Sequence, residues 1–289
     1  MSRNNEDRMG PKVPVSDIPP QIAEQFETPQ NTFSFVAPTE FVELPSGGLY
    51  YPEGHPLHGQ DSVEIKHMTA KEEDILSDKT LLKKGLAIDR FLKSVIINKR
   101  INIDSLLVGD KNAILVAARI TGYGAEYNTK VVCPVCFSHG RHEFDLSSVV
   151  INDLQVEEIN EMGVEVTEGG TFVFNLPVSG FQIECRLITG VEEKQIMNAA
   201  AKSKKKNLPS RETTGNLKVM IVSVQGNEDR AYINSFIDNM PAKDSRYLRT
   251  TYQNCAPNIE LKETHACGAC QAETEMSVPF TTDFFWPDT

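Results

Sequence analysis

Two Cys-x-x-Cys pairs, Cys133-Pro-Val-Cys136 and Cys267-Gly-Ala-Cys270, constrain this chain more than any other feature, since they hold four of its six cysteines. A two-residue spacer lets both sulfurs of a tight turn face one ion, and four thiolates complete the tetrahedral set of a structural zinc site. Soft sulfur selects zinc or an iron–sulfur cluster over hard cations. Two other readings compete. A redox dithiol needs one pair at a helix N-terminus behind a strand, and two unrelated free pairs need no partner at all. Each pair here follows a strand-like run with no clear helix behind it, which favours a metal.

Four protein ligands leave no position open for water, so the expected ion is a structural Zn2+ on Cys133, Cys136, Cys267 and Cys270. It would staple two halves of the chain, and its loss would loosen their interface. One departure stands out: glycine commonly follows the second cysteine of a zinc knuckle, and Phe137 and Gln271 occupy those places. His139, His142 and His265 flank the pairs and are expected to be exposed or supporting groups rather than ligands. Cys185 and Cys255 read as small buried hydrophobes.

The order of signals leading to each pair repeats, which sets architecture before detail. FVELPSGG from Phe41 is answered by FVFNLPVSG from Phe172, and VEIKHMTAKEEDIL from Val63 by IECRLITGVEEKQI from Ile183. In both, an alternating strand ends at a Thr with Glu three residues on, Thr69 with Glu72 and Thr189 with Glu192, the spacing of a capping box at a helix start. The segment from Ile103 to Cys136 then aligns without a gap on that from Ile237 to Cys270, matching Asp110 with Asp244 as helix starts and both cysteine pairs. The expected fold class is α+β: two similar half-domains from an internal duplication, 36–150 and 151–289, joined by a zinc-ribbon-like site of four cysteines. Residues 1–35, rich in Pro, Asn, Gln and acidic groups, read as a flexible N-terminal arm that orders against a partner.

A formal charge of −11 opposes non-specific nucleic-acid binding, which needs a basic surface. The basic run Lys202, Lys204, Lys205 and Lys206 reads as the solvated end of a helix from about Val191, stopped by Asn207, Leu208 and Pro209. No apolar run reaches the length of a membrane span, and MSRNNEDRMGPKVP lacks the apolar core of a secretory signal, so a reducing cytosol is the expected site of synthesis.

Catalytic patterns are missing: there is no His-Glu-x-x-His, no Gly-x-Ser-x-Gly and no phosphate loop. Glu72, Glu73, Asp74, Glu192 and Glu193 suit helix first turns, where the dipole favours them. His55 and His58, in a Pro- and Gly-rich loop with Tyr50 and Tyr51, offer either a contact site or an ordinary loop. Phe284, Phe285 and Trp286 either close the chain's own core or insert into a neighbour.

FVELPSGGLYYP, HMTAKEEDIL followed by KGLAIDRFL, ITGYGAEYNTKVVCPVC and SVPFTTDFFWPD together resemble the baseplate hub and tail-assembly proteins of T-even-like contractile-tailed bacteriophages, over roughly Phe35 to the C-terminus. The resemblance implies a non-enzymatic virion protein made in the host cytoplasm. Its partners would be other baseplate or hub subunits, with no nucleic acid, membrane or small-molecule substrate, gripped through the N-terminal arm, the Tyr50-Tyr51 loop or the aromatic tail. An assembly chaperone absent from the mature virion shares these features, and a zinc-ribbon nucleic-acid-binding protein is the more distant alternative.

Overall fold

The computed structural model describes residues 37–205, 212–278 and 282–285. The arm expected over residues 1–35, Trp286 and the Asn207-Leu208-Pro209 helix stop lie outside them.

Strand β1, Thr39–Glu43, pairs antiparallel with β2, Ser62–Lys66, opposing Val42 to Val63. Alternation of faces sends Val42, Val63 and Ile65 into the core. Thr69 and Glu72 form the expected capping box at the start of α1, Ala70–Ser77. Two short helices follow, α2 (Lys79–Lys84) and α3 (Ala87–Val95), then a 3-10 turn at Ile103–Ser105 and the long α4, Val108–Tyr123. The hairpin of β3, Glu126–Val132, and β4, His139–Asp145, carries the first cysteine pair at its tip.

After β5 (Val150–Asn152) and α5 (Val156–Glu161) comes a four-stranded antiparallel sheet in sequential order: β6 (Glu165–Val166), β7 (Thr171–Asn175), β8 (Gln182–Arg186) and β9 (Ile221–Val224). Between β8 and β9 run α6, Gly190–Lys205, and α7, Glu212–Met220. Glu192 accepts the Thr189 amide at the start of α6, as Glu72 accepts that of Thr69. Helices α8 (Arg230–Asn239) and α9 (Ala242–Cys255), strand β10 (Asn258–Glu260) and the hairpin of β11 (Lys262–Ala266) and β12 (Glu273–Ser277) complete the chain up to the second cysteine pair and beyond it. Helices and antiparallel sheets thus make the α+β fold that the pattern predicts.

Apolar residues from both sequence halves share one core, with Phe91, Ile114 and Phe144 in the same cluster as Phe172, Ile221 and Leu248. The seam between them is continuous. Val108 donates its amide to the Ile188 carbonyl and Gly190 to that of Leu106, while β5 pairs with β10. Gly109 sits where α4 meets the chain before β10: a Cβ there would lie 2.1 Å from the Pro257 carbonyl oxygen, so no other residue fits without a shift. Ion pairs cross the same seam, Lys111 to Glu193 at 2.6 Å and Lys194 to Asp89 at 2.6 Å.

The first-turn aspartates of α4 and α9 each hold a Leu-Pro loop. Asp110 accepts the Ser46 amide, the Ser46 hydroxyl and the Tyr51 hydroxyl. Asp244 accepts the amides of Val178 and Ser179. The Tyr50-Tyr51 loop consequently faces inward: both tyrosines are buried, Tyr51 stacks on His55, and His58 bonds the Tyr51 carbonyl. That arrangement corrects the expectation that these tyrosines grip a neighbour, because their rings are spent on the protein's own core.

Phe284 and Phe285 also turn inward, against Tyr127 and Phe91 respectively. Arg119, wholly buried on α4, anchors them by donating Nε to the Phe284 carbonyl, while its other nitrogens bond the carbonyls of Gly124 and Glu126. The guanidinium lies over the rings of Tyr123 and Tyr127, so its charge is met by carbonyl dipoles and aromatic faces.

Glu72 links stability to pH. Burial pushes its carboxyl up, but bonds from Lys66, Ser94 and Thr69 outweigh it and hold the group down to about 2. A depressed carboxylate contributes stability that is fully present above its unfolded value, near 4.5, and is lost as pH falls through the folded one. Glu72→Gln is expected to cost on the order of 3 kcal/mol at neutral pH. Denaturant titrations at stepped pH should show the gap to wild type closing between about 4.5 and 2.

Candidate metal centre

Each cysteine pair lies at the tip of a two-stranded ribbon. In the first, the Phe137 amide donates to the Cys133 carbonyl at 2.9 Å and the Cys133 amide to the Ser138 carbonyl at 3.0 Å. The second repeats both bonds, Gln271 to Cys267 at 2.8 Å and Cys267 to Ala272 at 3.0 Å. This turn requires a left-handed residue after the second cysteine, and Phe137 and Gln271 adopt it with φ of 58° and 59°. The missing glycines that set these knuckles apart in sequence are therefore absent in side chain only, since the backbone keeps the glycine conformation.

The four sulfurs meet across the ribbons, all within 4.8 Å of one another. Cys133 Sγ lies 3.8 Å from Cys270 Sγ, and Cys136 Sγ 3.7 Å from Cys267 Sγ. Four thiolates about 2.3 Å from a tetrahedral ion stand about 3.8 Å apart, so the cluster fits such an ion without rearrangement. Cys133 and Cys267 are buried, Cys136 and Cys270 exposed, giving one inner and one outer sulfur from each ribbon. The set could hold a metal and has no vertex left over for a substrate.

Local dipoles favour anionic sulfur. The Ser138 hydroxyl, first, and the amides of Cys270 and Ala269 pull the Cys267 thiol down to about 5, and Ser138 also lowers Cys136. Cys270 moves up to about 12: the Ala272 amide lowers it, but sharing a proton with the Cys136 and Cys267 sulfurs prevails.

Below the sulfurs the ribbons are also joined by polar contacts. His265 Nδ1 meets His142 Nδ1 at 3.2 Å, and His142 Nε2 lies 3.3 Å from the Glu263 carboxylate, which accepts the Asp145 amide at 2.7 Å. These two histidines support the site from beneath, whereas His139 is exposed on the outer face of β4. Cys185 and Cys255 are buried elsewhere in the core, where desolvation pushes both thiols up. Spacing in the sequence names the four sulfurs; Ser138, Glu263 and the histidine pair were not legible as partners, because their contacts join residues more than a hundred positions apart.

A family model described as T4 bacteriophage base plate protein matches residues 37–286, and the chain belongs to that family. No curated protein and no solved structure matches it. Membership makes it a phage baseplate protein, a component of the virion tail that interacts with other baseplate proteins, as the motif texture predicts. Among the described residues no helix is long and apolar enough to cross a membrane.

Proposed function

We propose that this chain is a structural subunit in or beside the hub of a contractile tail baseplate, without catalytic activity, made in the host cytoplasm and acting through protein contacts alone. A zinc ion on Cys133, Cys136, Cys267 and Cys270 ties the tips of its two ribbons. The cluster carries this reading: two knuckles with the same hydrogen bonds and the same left-handed residue contribute one buried and one exposed sulfur each. The chain is a tandem duplication, 36–150 and 151–289, preceded by an arm over 1–35. In favour stand the paired bonds from a threonine amide to the glutamate three residues on, the paired loop-holding aspartates and the crossed sulfur contacts, Cys133 with Cys270 and Cys136 with Cys267.

Quantitative mass spectrometry of purified virions, beside metal analysis of the recombinant protein and its Cys267→Ser variant, tests the reading. The expected result is protein in the particle and one zinc per wild-type chain, lost in the variant. A protein abundant in infected cells but missing from virions would instead be an assembly chaperone, and a metal-free wild type would end the zinc assignment.

A further inference from the structure

Positive charge is scarce in this chain, which carries 40 acidic residues against 29 basic ones, yet cations from three segments line one concave site. A cleft of about 430 Å³ opens between α3, the segment 98–104 and the first turns of α6. Arg90 and Lys93 enter it from α3, Lys99 and Arg100 from the segment, and Lys194 from α6. Buried Ile101 and Ile103 supply the apolar part of its lining, together with exposed Leu86.

The charges of this cleft do not balance. Its two carboxylates, Asp89 and Asp104, are both taken by Lys194, and Asp89 also lies 3.9 Å from Lys111. Lys99 donates its ammonium to the carbonyls of Lys93, Ser94 and Ile96 at the end of α3, neutral acceptors that fix its charge in place without cancelling it. Burial, and after it the charges of Lys66, Lys71 and Lys93, pull that ammonium down against the opposing Glu72. Arg90, Lys93 and Arg100 are exposed and make no side-chain hydrogen bond or ion pair among the described residues. Lys93 suits the last turn of α3, where the helix dipole favours a cation. Arg90 has no such reason: it stands three positions before Lys93, a like-charge spacing that opposes the helix. Arg100 adds a third unpaired cation to the same cleft.

Planar guanidinium groups recognise carboxylates and phosphates through two parallel bonds. Carboxylates on a peptide fit this cleft better than a nucleic acid does. A duplex carries a charge about every 1.7 Å along a stiff rod, which would run past the cleft onto a chain with a net charge of −11. A peptide segment meets the cleft alone, and a baseplate protein has other baseplate proteins for neighbours. We propose that this cleft receives a carboxylate-rich peptide segment of a neighbouring baseplate protein, with Arg90 and Arg100 gripping its side chains and Lys93 supplying a third charge. The inference rests on the family and on the charge of the cleft; it depends neither on the metal nor on a place in the hub.

Zero-length cross-linking of purified virions tests it. A water-soluble carbodiimide joins an amine to a carboxylate as an amide, itself taking up the water released. Mass spectrometry should therefore recover Lys93 joined to an aspartate or glutamate of a different baseplate protein. Peptides from the rest of the chain in the same digest separate a failed contact from a chain absent from the particle. Lys93 left unlinked in a chain that is present, or linked only to its own chain or a second copy, would overturn the proposal. In solution the full-length protein should bind a fluorescent polyglutamate peptide, with an affinity that falls as salt is added. Arg90→Glu with Arg100→Glu should weaken that binding at least about tenfold, whereas Lys243→Glu with Arg246→Glu, the same change of charge on α9, should leave it within about twofold. Unchanged melting of both variants would exclude misfolding as the cause. Absence of binding, or equal loss in the two variants, would also overturn the proposal. So would salt-sensitive binding of random-sequence duplex DNA that is lost in the cleft variant, which would assign the cleft to nucleic acid.

Discussion

Asp110→Ala is expected to destabilise the protein by about 3–5 kcal/mol, since three donors lose their acceptor at about 1–3 kcal/mol for each one left buried and unsatisfied. Asp110 is fully buried and accepts three bonds, at 3.0 Å from the Ser46 amide and at 2.6 and 2.7 Å from the Ser46 and Tyr51 hydroxyls. Burial pushes its carboxyl up against the pull of those donors. The substitution deletes one acceptor but strands three donors in a place where water cannot replace it, and stranded donors carry most of the cost. Tyr51 also receives the Leu107 amide on the same hydroxyl, so the damage reaches the seam at the start of α4. Asp244→Ala supplies the internal comparison. It removes the same structural device, but Val178 is exposed and Ser179 half-buried, so their amides can turn to water. About 1–2 kcal/mol is expected there. Chemical denaturation of both variants checks the contrast, and equal losses would contradict an origin in burial.

What the sequence made legible follows the range of each interaction. Thr69–Glu72 and Thr189–Glu192 act across three residues, so their spacing alone announces two helix starts. Asp110 reads as a helix start for the same reason, yet its main work is to hold Ser46, sixty-four positions away, and nothing in the local pattern says so. Arg119 was missed entirely. It sits in the apolar run AILVAARITGYG, where a lone arginine is itself a signal, but its carbonyl partners include Phe284 at the far end of the chain. The aromatic tail could have faced either way on composition, and Arg119 together with Tyr127 decides for the core in the case of Phe284 and Phe285. Tyr50 and Tyr51 failed for the opposite reason: a loop rich in Gly and Pro looks exposed, while here two hydroxyl bonds and a stacked histidine pack it inward.

Removing the proposed zinc, by chelation or by Cys267→Ser, is expected to unfold the ribbon tips without parting the two halves. A staple between otherwise separate halves would, on its loss, expose the whole seam. The seam, however, has its own bonds at Leu106–Val108 with Ile188–Gly190, the β5–β10 pairing, Gly109 against Pro257 and a shared apolar core. The ribbons have much less. Each is a lone two-stranded hairpin, marginal in water by itself, and at the tips the sulfur cluster and the Ser138 hydroxyl against Cys267 join one to the other. Nearer the core, Tyr127, Phe144 and Leu261 are buried and hold the ribbon bases in place. Binding energy of a structural metal is folding energy for whatever it alone orders, so several kcal/mol should disappear from the tips. Hydrogen exchange should then show the amides of Cys133, Phe137, Cys267 and Gln271 losing protection by at least about a hundredfold, while those of Ile183 and Cys185 in the central sheet change little. Cys185→Ala should leave metal content intact, which separates the cluster from cysteine loss in general. Collapse of protection throughout the central sheet would mean that the metal, rather than the seam, holds the halves together; unchanged protection at the tips would mean that the cluster carries no folding energy.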